Sequence, residues 1–210
     1  MNEARVFGGE PVIEFAVERD RRTFLRWAGI IGVGATFAAA TAGRFASAQS
    51  DQGDIDILNY ALTLEYLEAD FYNRGIDAGV LSGEELTLVR PIRDHEEAHV
   101  STISSTLEDL GATPVEKPKF KYPSGTFGDN KAFLDTAYTF ETLGVKAYQG
   151  QVVNFKDAAL LAAAASIAGT ESRHTAVLAD LTRRDPFPAP LEARLSMSKV
   201  LEAAKSFIQS

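Results

Sequence analysis

From Asp54 onward, apolar residues recur at alternating spacings of three and four, the signature of amphipathic helices, and strand-like alternation is almost absent. Four long helices are predicted. The first covers 55–78 after an Asp54 N-cap, with Gly79 just past its end. The second begins at Ser82, where Ser82-Gly83-Glu84-Glu85 reads as a capping box, and stops at Gly111. The third covers 130–155 and the fourth 157–182, and a shorter amphipathic stretch, 191–208, follows Pro186, Pro188 and Pro190. Short links pair the first helix with the second and the third with the fourth as antiparallel hairpins. The link between the second and third, 112–128, is rich in Pro, Gly and Lys. A helix of about 29 residues is about 43 Å long, whereas about 17 extended residues reach about 56 Å. This link is therefore long enough to cross a bundle end to end. The predicted fold is all-α: a four-helix bundle with one long crossover between the second and third helices, plus a C-terminal amphipathic helix.

Each stripe has a polar centre. The first helix presents Leu58, Leu62, Glu65, Ala69, Tyr72 and Ile76, and the second Val89, Ile92, Glu96, His99, Ile103 and Leu110. The third presents Leu134, Ala137, Glu141, Gly144 and Tyr148, and the fourth Leu160, Ala164, Ile167, Glu171, His174, Leu178 and Leu181. Glu65-x6-Tyr72 repeats as Glu141-x6-Tyr148, and Glu96-x2-His99 repeats as Glu171-x2-His174. The second hairpin reads as a copy of the first, related to it by an approximate two-fold axis along the bundle.

Four carboxylates buried together repel one another and lose their hydration, so apolar packing gives no reason to keep them. Two divalent cations balance four glutamates, and neutral imidazoles complete the shell. Glu-x-x-His sets both side chains on one helical face, separated by less than a turn. Oxygen-rich ligation with one nitrogen per metal suits iron or manganese better than copper or structural zinc. The candidate metal residues are Glu65, Glu96, His99, Glu141, Glu171 and His174.

Composition narrows the remaining classes. The 210 residues carry a formal charge of −8 and lack any long basic run, which argues against a nucleic-acid partner. Cysteine is absent, which removes disulfides, thiolate nucleophiles and sulfur-ligated metals. Near the N-terminus, Asp20-Arg21-Arg22-Thr23-Phe24-Leu25-Arg26 resembles the twin-arginine export motif. An uncharged Ala- and Gly-rich stretch, Trp27 to Gly43, and the small-x-small site Ala46-Ser47-Ala48 follow it. That stretch is short for a membrane span, so removal is favoured over an N-terminal anchor. Six arginines and five acids lie within residues 1–48, leaving 15 basic and 24 acidic residues, a net charge of −9, in the remainder. The domain reading is a twin-arginine signal over 1–48, a bundle over 49–185 and a helical extension over 186–210.

The run Ala61-Leu62-Thr63-Leu64-Glu65-Tyr66-Leu67-Glu68-Ala69-Asp70-Phe71-Tyr72, with Arg93-Asp94-His95-Glu96-Glu97-Ala98-His99 and Glu171-Ser172-Arg173-His174, resembles exported bacterial ferritin-like proteins related to plant desiccation-associated proteins. The likeness covers roughly 54–182. It implies a ferritin-like bundle of the di-iron carboxylate superfamily. Glu65 and Glu141 would be terminal ligands, Glu96 and Glu171 bridging ligands, and His99 and His174 the imidazoles. Tyr72 and Tyr148 would be aromatic supports behind them. The implied function is an exported di-metal protein that oxidises Fe(II) or consumes peroxide in envelope stress defence, with metal ions and oxygen or peroxide as partners. Its place would be periplasmic or extracellular, its membrane contact confined to the signal segment, and homo-oligomers are open to it. The competing reading is a non-enzymatic, stress-protective bundle whose site is structural or empty.

Residues beside the pattern receive plainer roles. Glu68, one turn from Glu65 on the adjoining stripe Ile57, Ala61, Leu64, Glu68 and Phe71, reads as solvated or hydrogen-bonded, with replacement of Glu65 or an added ligand as its alternative. His95 and Glu97 read as groups behind the ligands or at the surface. Three lysines in the six residues from Lys117 to Tyr122 indicate a solvated crossover, and the C-terminal stretch is expected to pack on the bundle.

Overall fold

The four long helices are α1 (Gln52–Asp77), α2 (Gly83–Asp109), α3 (Asn130–Gln151) and α4 (Ala158–Leu181). A short α5 (Met197–Ala204) and a 3-10 turn, Lys205–Phe207, follow them among the described residues. This computed structural model describes residues 51–209, so the predicted signal segment 1–48, with Arg21-Arg22 and Ala46-Ser47-Ala48, lies outside the described residues. Among the described residues, no helix is long and apolar enough to cross a membrane. Helix α1 packs against α2 and α3, and α4 packs against α3 and α2, which gives the ring α1–α2–α4–α3.

Two predicted caps are corrected. Asp51, not Asp54, caps α1, accepting from the Gly53 amide at 2.8 Å. Asp54 lies inside the helix, 1% exposed, and accepts the Lys156 and Asp157 amides, each at 2.8 Å. Spacing alone cannot distinguish two aspartates three residues apart, and burial against the α3–α4 turn decides between them. The predicted capping box at Ser82 does not form, because the Ser82 side chain makes no capping bond. Glu85 instead accepts from Asn130 Nδ2 at 2.6 Å, and the same amide reaches the Val80 carbonyl at 3.2 Å. This pair ties the start of α3 to the α1–α2 turn, so the crossover does run from one end of the bundle to the other.

The crossover follows α1 along its length. Val115 N donates to Asn59 Oδ1 at 2.7 Å, Lys117 pairs with Asp70 at 3.2 Å, and Tyr122 OH donates to Asp70 Oδ2 at 3.0 Å. The expected solvated loop is therefore wrong in part. Aromatics alternate with lysines here, and the extended chain turns Phe120, 3% exposed, inward while Lys119 and Lys121 face water. Covered by α3 and this strap, α1 buries its adjoining stripe as well: Ile57, Ala61, Leu64, Glu68 and Phe71 are all buried.

Two apolar clusters flank the polar layer. One is aromatic, built on Phe71, Tyr72, Phe133 and Phe140. Phe71 stacks on Phe133 with ring centroids 4.6 Å apart. The other cluster is aliphatic, with Leu58, Leu62, Ile103, Leu107 and Leu160. Truncating a phenylalanine at such a fully enclosed position costs about 3–5 kcal/mol.

The C-terminal helix is shorter than predicted: 191–196 are not helical, and Leu195 bonds its amide to α3 instead of to a helical turn. It packs on the bundle as expected, with Val200 and Ala204 fully buried. Leu195 N donates to the Lys146 carbonyl at 3.0 Å. The Leu195 carbonyl lies where a Cβ on Gly150 would come within 1.8 Å of it, so only glycine admits this approach. Beyond α5, Ile208 pairs with Phe120, Lys121 N donates to the Phe207 carbonyl at 2.8 Å, and Gln209 N donates to the Lys119 carbonyl at 2.8 Å. The chain end is thus stitched to the crossover.

Candidate metal centre

All six residues singled out by the repeat converge in the middle of the bundle. Glu65, Glu96, Glu141 and Glu171 have no exposed surface, and His174 and His99 are 4% and 9% exposed. Ligand atoms of Glu65, Glu96, His99 and Glu171 lie within 4.8 Å of one another, and so do those of Glu96, Glu141, Glu171 and His174. The two groups share Glu96 and Glu171. Each of the four helices therefore contributes at least one carboxylate, and the shared pair comes from the two helices that carry the histidines.

The distances follow the repeat closely. His99 Nδ1 is 3.1 Å from Glu65, 3.3 Å from Glu96 and 3.2 Å from Glu171. His174 Nδ1 is 3.0 Å from Glu96, 3.1 Å from Glu141 and 3.9 Å from Glu171. Glu96 addresses His99 with Oε2 and His174 with Oε1, whereas Glu171 addresses both through Oε1 alone. Glu171 Oε2 is left without a hydrogen-bond partner. Glu171 Oε1 and Glu96 Oε1 lie near imidazole nitrogens but outside hydrogen-bonding geometry. One N–H cannot satisfy three carboxylates, so the cluster has more acceptors than donors.

The tyrosines cross between the halves. Tyr72 OH on α1 donates to Glu141 Oε1 on α3 at 2.5 Å, and Tyr148 OH on α3 donates to Glu65 Oε1 on α1. Each aromatic expected behind the ligands thus holds the carboxylate of the other hairpin.

Protonation reflects the crowding. Burial pushes the Glu171 carboxyl well above its usual range, and the charges of Glu96 and Glu141 add to the shift. Burial and the charge of Glu141 raise Glu96 to about 7, against the pull of the two imidazoles. For His174, burial opposes the charged form, but Glu141 and Glu96 prevail and hold it up to about 10. His99 likewise stands well above its usual value, since Glu65, Glu171 and Glu96 outweigh its burial. Glu65 moves the other way: burial raises it, but the His99 charge and hydrogen bond bring it below the usual range. Without a cation, protons take over part of the charge balance.

Two residues outside the predicted set adjoin the cluster, although neither belongs to its two groups of ligand atoms. Glu68 is 3% exposed, not solvated, and its carboxyl is pushed well up by burial and by Glu171, Glu141, Glu96 and Glu65. His95 is exposed at its outer edge, yet its Nδ1 lies 2.8 Å from His174 Nε2, with the two rings stacked 5.1 Å apart. Glu97 stays at the surface and accepts from Asn73 at 2.9 Å. Continuing the repeat by a few residues exposes both positions. Glu68 corresponds to Gly144 and His95 to Thr170, so each marks a place where the halves differ.

Comparison with known proteins agrees with this architecture. The ferritin-like domain family profile matches residues 53–184. A solved structure described as ferritin-like, diiron-carboxylate proteins from Bacillus anthracis str. Ames superposes with a TM-score of 0.51 at 24% identity, covering 62% of this chain and 96% of that one. No curated protein sequence gives a significant match. The family match extends over all four helices and every residue of the buried cluster, and the chain belongs to the ferritin-like domain family.

Proposed function

We propose that this protein is an exported ferritin-like protein holding two divalent metal ions, iron or manganese, in the buried cluster, where it oxidises Fe(II) or consumes peroxide in envelope stress defence. Glu65 and Glu141 serve as terminal ligands, Glu96 and Glu171 as shared ligands, and His99 and His174 as the nitrogen donors. The observation that carries the proposal is the buried Oε1 atoms of Glu96 and Glu171, which lie beside the imidazoles without a hydrogen bond. Buried polar atoms are nearly always satisfied, and this donor set of oxygen with one nitrogen per position suits iron or manganese. Bound metals would supply the electrons exchanged with oxygen or peroxide.

The chain's own groups prepare that chemistry. Tyr72 and Tyr148 fix Glu141 and Glu65 by hydrogen bonds from the opposite hairpin, which limits their rotation. The aromatic and aliphatic clusters on either side exclude water and strengthen every charge interaction between them. Export through the twin-arginine route rests on Arg21-Arg22 and the segment that follows, with cleavage near Ala48 and a periplasmic or extracellular destination.

The test is fractionation of the native cells followed by metal analysis of the protein purified from the envelope without chelator. Expected are two metals per chain and turnover of Fe(II) with oxygen, or of peroxide. Less than one equivalent, with no thermal shift when Fe(II) or Mn(II) is offered, overturns the metal reading in favour of a structural, stress-protective bundle.

A further inference from the structure

The pseudo-two-fold axis that relates the hairpins is broken beside the ligands in a way that leaves a built space. Glu65 matches Glu141 and Tyr72 matches Tyr148, but between them Glu68 on α1 matches Gly144 on α3. A strict copy would place two carboxylates here or none. The chain places one, and its counterpart has no side chain.

The missing side chain is the space the carboxylates occupy. A Cβ at Gly144 would lie 3.0 Å from Glu171 Oε2 and 3.2 Å from Glu68 Oε1. Both oxygens therefore share the notch that Gly144 leaves open. Glu171 Oε2 has no hydrogen-bond partner and is the oxygen that the shared pair does not turn toward either histidine. No hydrogen bond to Glu68 is present among the described residues, although its side chain is almost wholly enclosed. Two enclosed carboxyl groups meet at a glycine, and no other described residue bonds to Glu171 Oε2 or to Glu68, an arrangement that a cation would complete.

We infer that Glu68 is a seventh residue of the metal centre, a fifth carboxylate admitted on one side through the Gly144 notch, and that it makes the centre bind trivalent ions more tightly than four carboxylates would. The inference rests on the reading of the cluster as a metal site. Four glutamates balance two divalent ions, and a fifth carboxylate is in excess for that state. It is matched when one ion becomes trivalent. The interaction of an ion with a given anion at a given distance scales with the ion's charge, so losing that anion costs a trivalent ion half again as much as a divalent one. On a logarithmic scale the affinity loss should stand in the same ratio. Because the single notch adjoins Glu171 Oε2, the added ligand also makes the two metal positions unequal.

The experiment titrates the full metal-free protein by calorimetry with Mn(II) and, separately, with Ga(III) supplied as its nitrilotriacetate complex, a trivalent ion without redox chemistry. Glu68→Gln keeps size and shape, and its fold is verified by helical circular dichroism. Loss of this carboxylate should weaken Mn(II) about tenfold and Ga(III) about thirtyfold. Gly144→Ala keeps all five carboxylates and only fills the notch, and it should weaken both ions with the same bias toward Ga(III). If the wild-type protein binds Mn(II) but Glu68→Gln leaves both affinities unchanged, or lowers them by equal factors, the inference is overturned while the proposed function stands. Unchanged affinities in Gly144→Ala would overturn the notch as the route. If the wild-type protein binds neither ion, the inference and the metal reading fall together.

Discussion

The α1–α2 hairpin and the α3–α4 hairpin carry the same pattern of glutamates, histidine and tyrosine, and they use it differently. Both bring a glutamate, a Glu-x-x-His pair and a tyrosine into the centre, and both satisfy their terminal glutamate with the tyrosine of the other hairpin. Next to the ligands the agreement ends. The first hairpin adds Glu68 from below and His95 from the rim, where the second has Gly144 and Thr170. Thr170 Oγ1 bonds within its own helix, to the Ser166 carbonyl at 3.3 Å, and does not match the link from His95 to His174. Symmetry is kept in the six clustered residues and their tyrosines and is lost in the residues beside them. On the proposed metal reading, a duplicated bundle holds two positions with the same six-residue pattern and still makes them chemically distinct.

The most direct way to break the comparison is to remove both imidazoles. Metal that binds only the folded state stabilises it by about 2.7 kcal/mol at a hundredfold excess over its dissociation constant. His99→Ala with His174→Ala should abolish most of that gain, measured as the rise in Tm on adding Mn(II), while the helical circular dichroism remains. If the halves are equivalent in ligation, each single change should remove about half of the bound metal.

A second effect, the pH dependence, separates the metal-free from the loaded protein. His174 is raised from 6.5 to about 10 in the fold, so its contribution to stability is complete below pH 6.5 and is lost as the pH rises toward 10. Glu96, raised from 4.5 to about 7, acts in the same sense, with its loss falling between those values. Metal-free protein should therefore lose stability between pH 5 and pH 10, on the order of 10 °C in Tm. Loaded protein should lose much less, because cations replace the protons. Parallel melting curves with and without chelator check this.

The smallest effect tests the cross-hairpin tyrosines. Tyr72→Phe and Tyr148→Phe each remove one hydrogen bond to a buried carboxylate, which costs about 2 kcal/mol, or about 5 °C. Equal losses in denaturant unfolding would confirm that this layer keeps the two-fold relation. Unequal losses would extend the asymmetry inward to the ligands themselves.

The sequence was most legible where periodicity and repetition reinforced each other. Helices recur with their polar centres at fixed offsets, so the bundle, its end-to-end crossover and the convergence of six residues could be read before any coordinates. Caps were less legible, because Asp51 and Asp54 both offer a side-chain oxygen at a helix start, and only the packing of the α3–α4 turn decides their roles. The burial of Glu68 was less legible for a related reason. A stripe adjoining the core is buried or exposed according to what covers it, and here the cover comes from α3 and a crossover whose aromatics were hidden among lysines. Extending the repeat from the ligands to their neighbours would have paired Glu68 with Gly144. His95 was harder to read, because its partner lies on a different hairpin and nothing in its own helix points to it.

The seam between the crossover and the chain end bears on the order of assembly during synthesis. Phe120 pairs with Ile208, a separation of nearly ninety residues, and the flanking amide bonds involve Phe207 and Gln209. Chains are made from the N-terminus, and residues 197–209 emerge only after α1 to α4. Until then the strap alongside α1 lacks its outer cover, and the aromatic cluster around Phe140 lacks Phe207, whose ring packs edge-on at 4.7 Å. Nascent chains halted before residues 197–209 would carry all four long helices and all six clustered residues, yet would leave this seam unlatched and its rings open to misassociation.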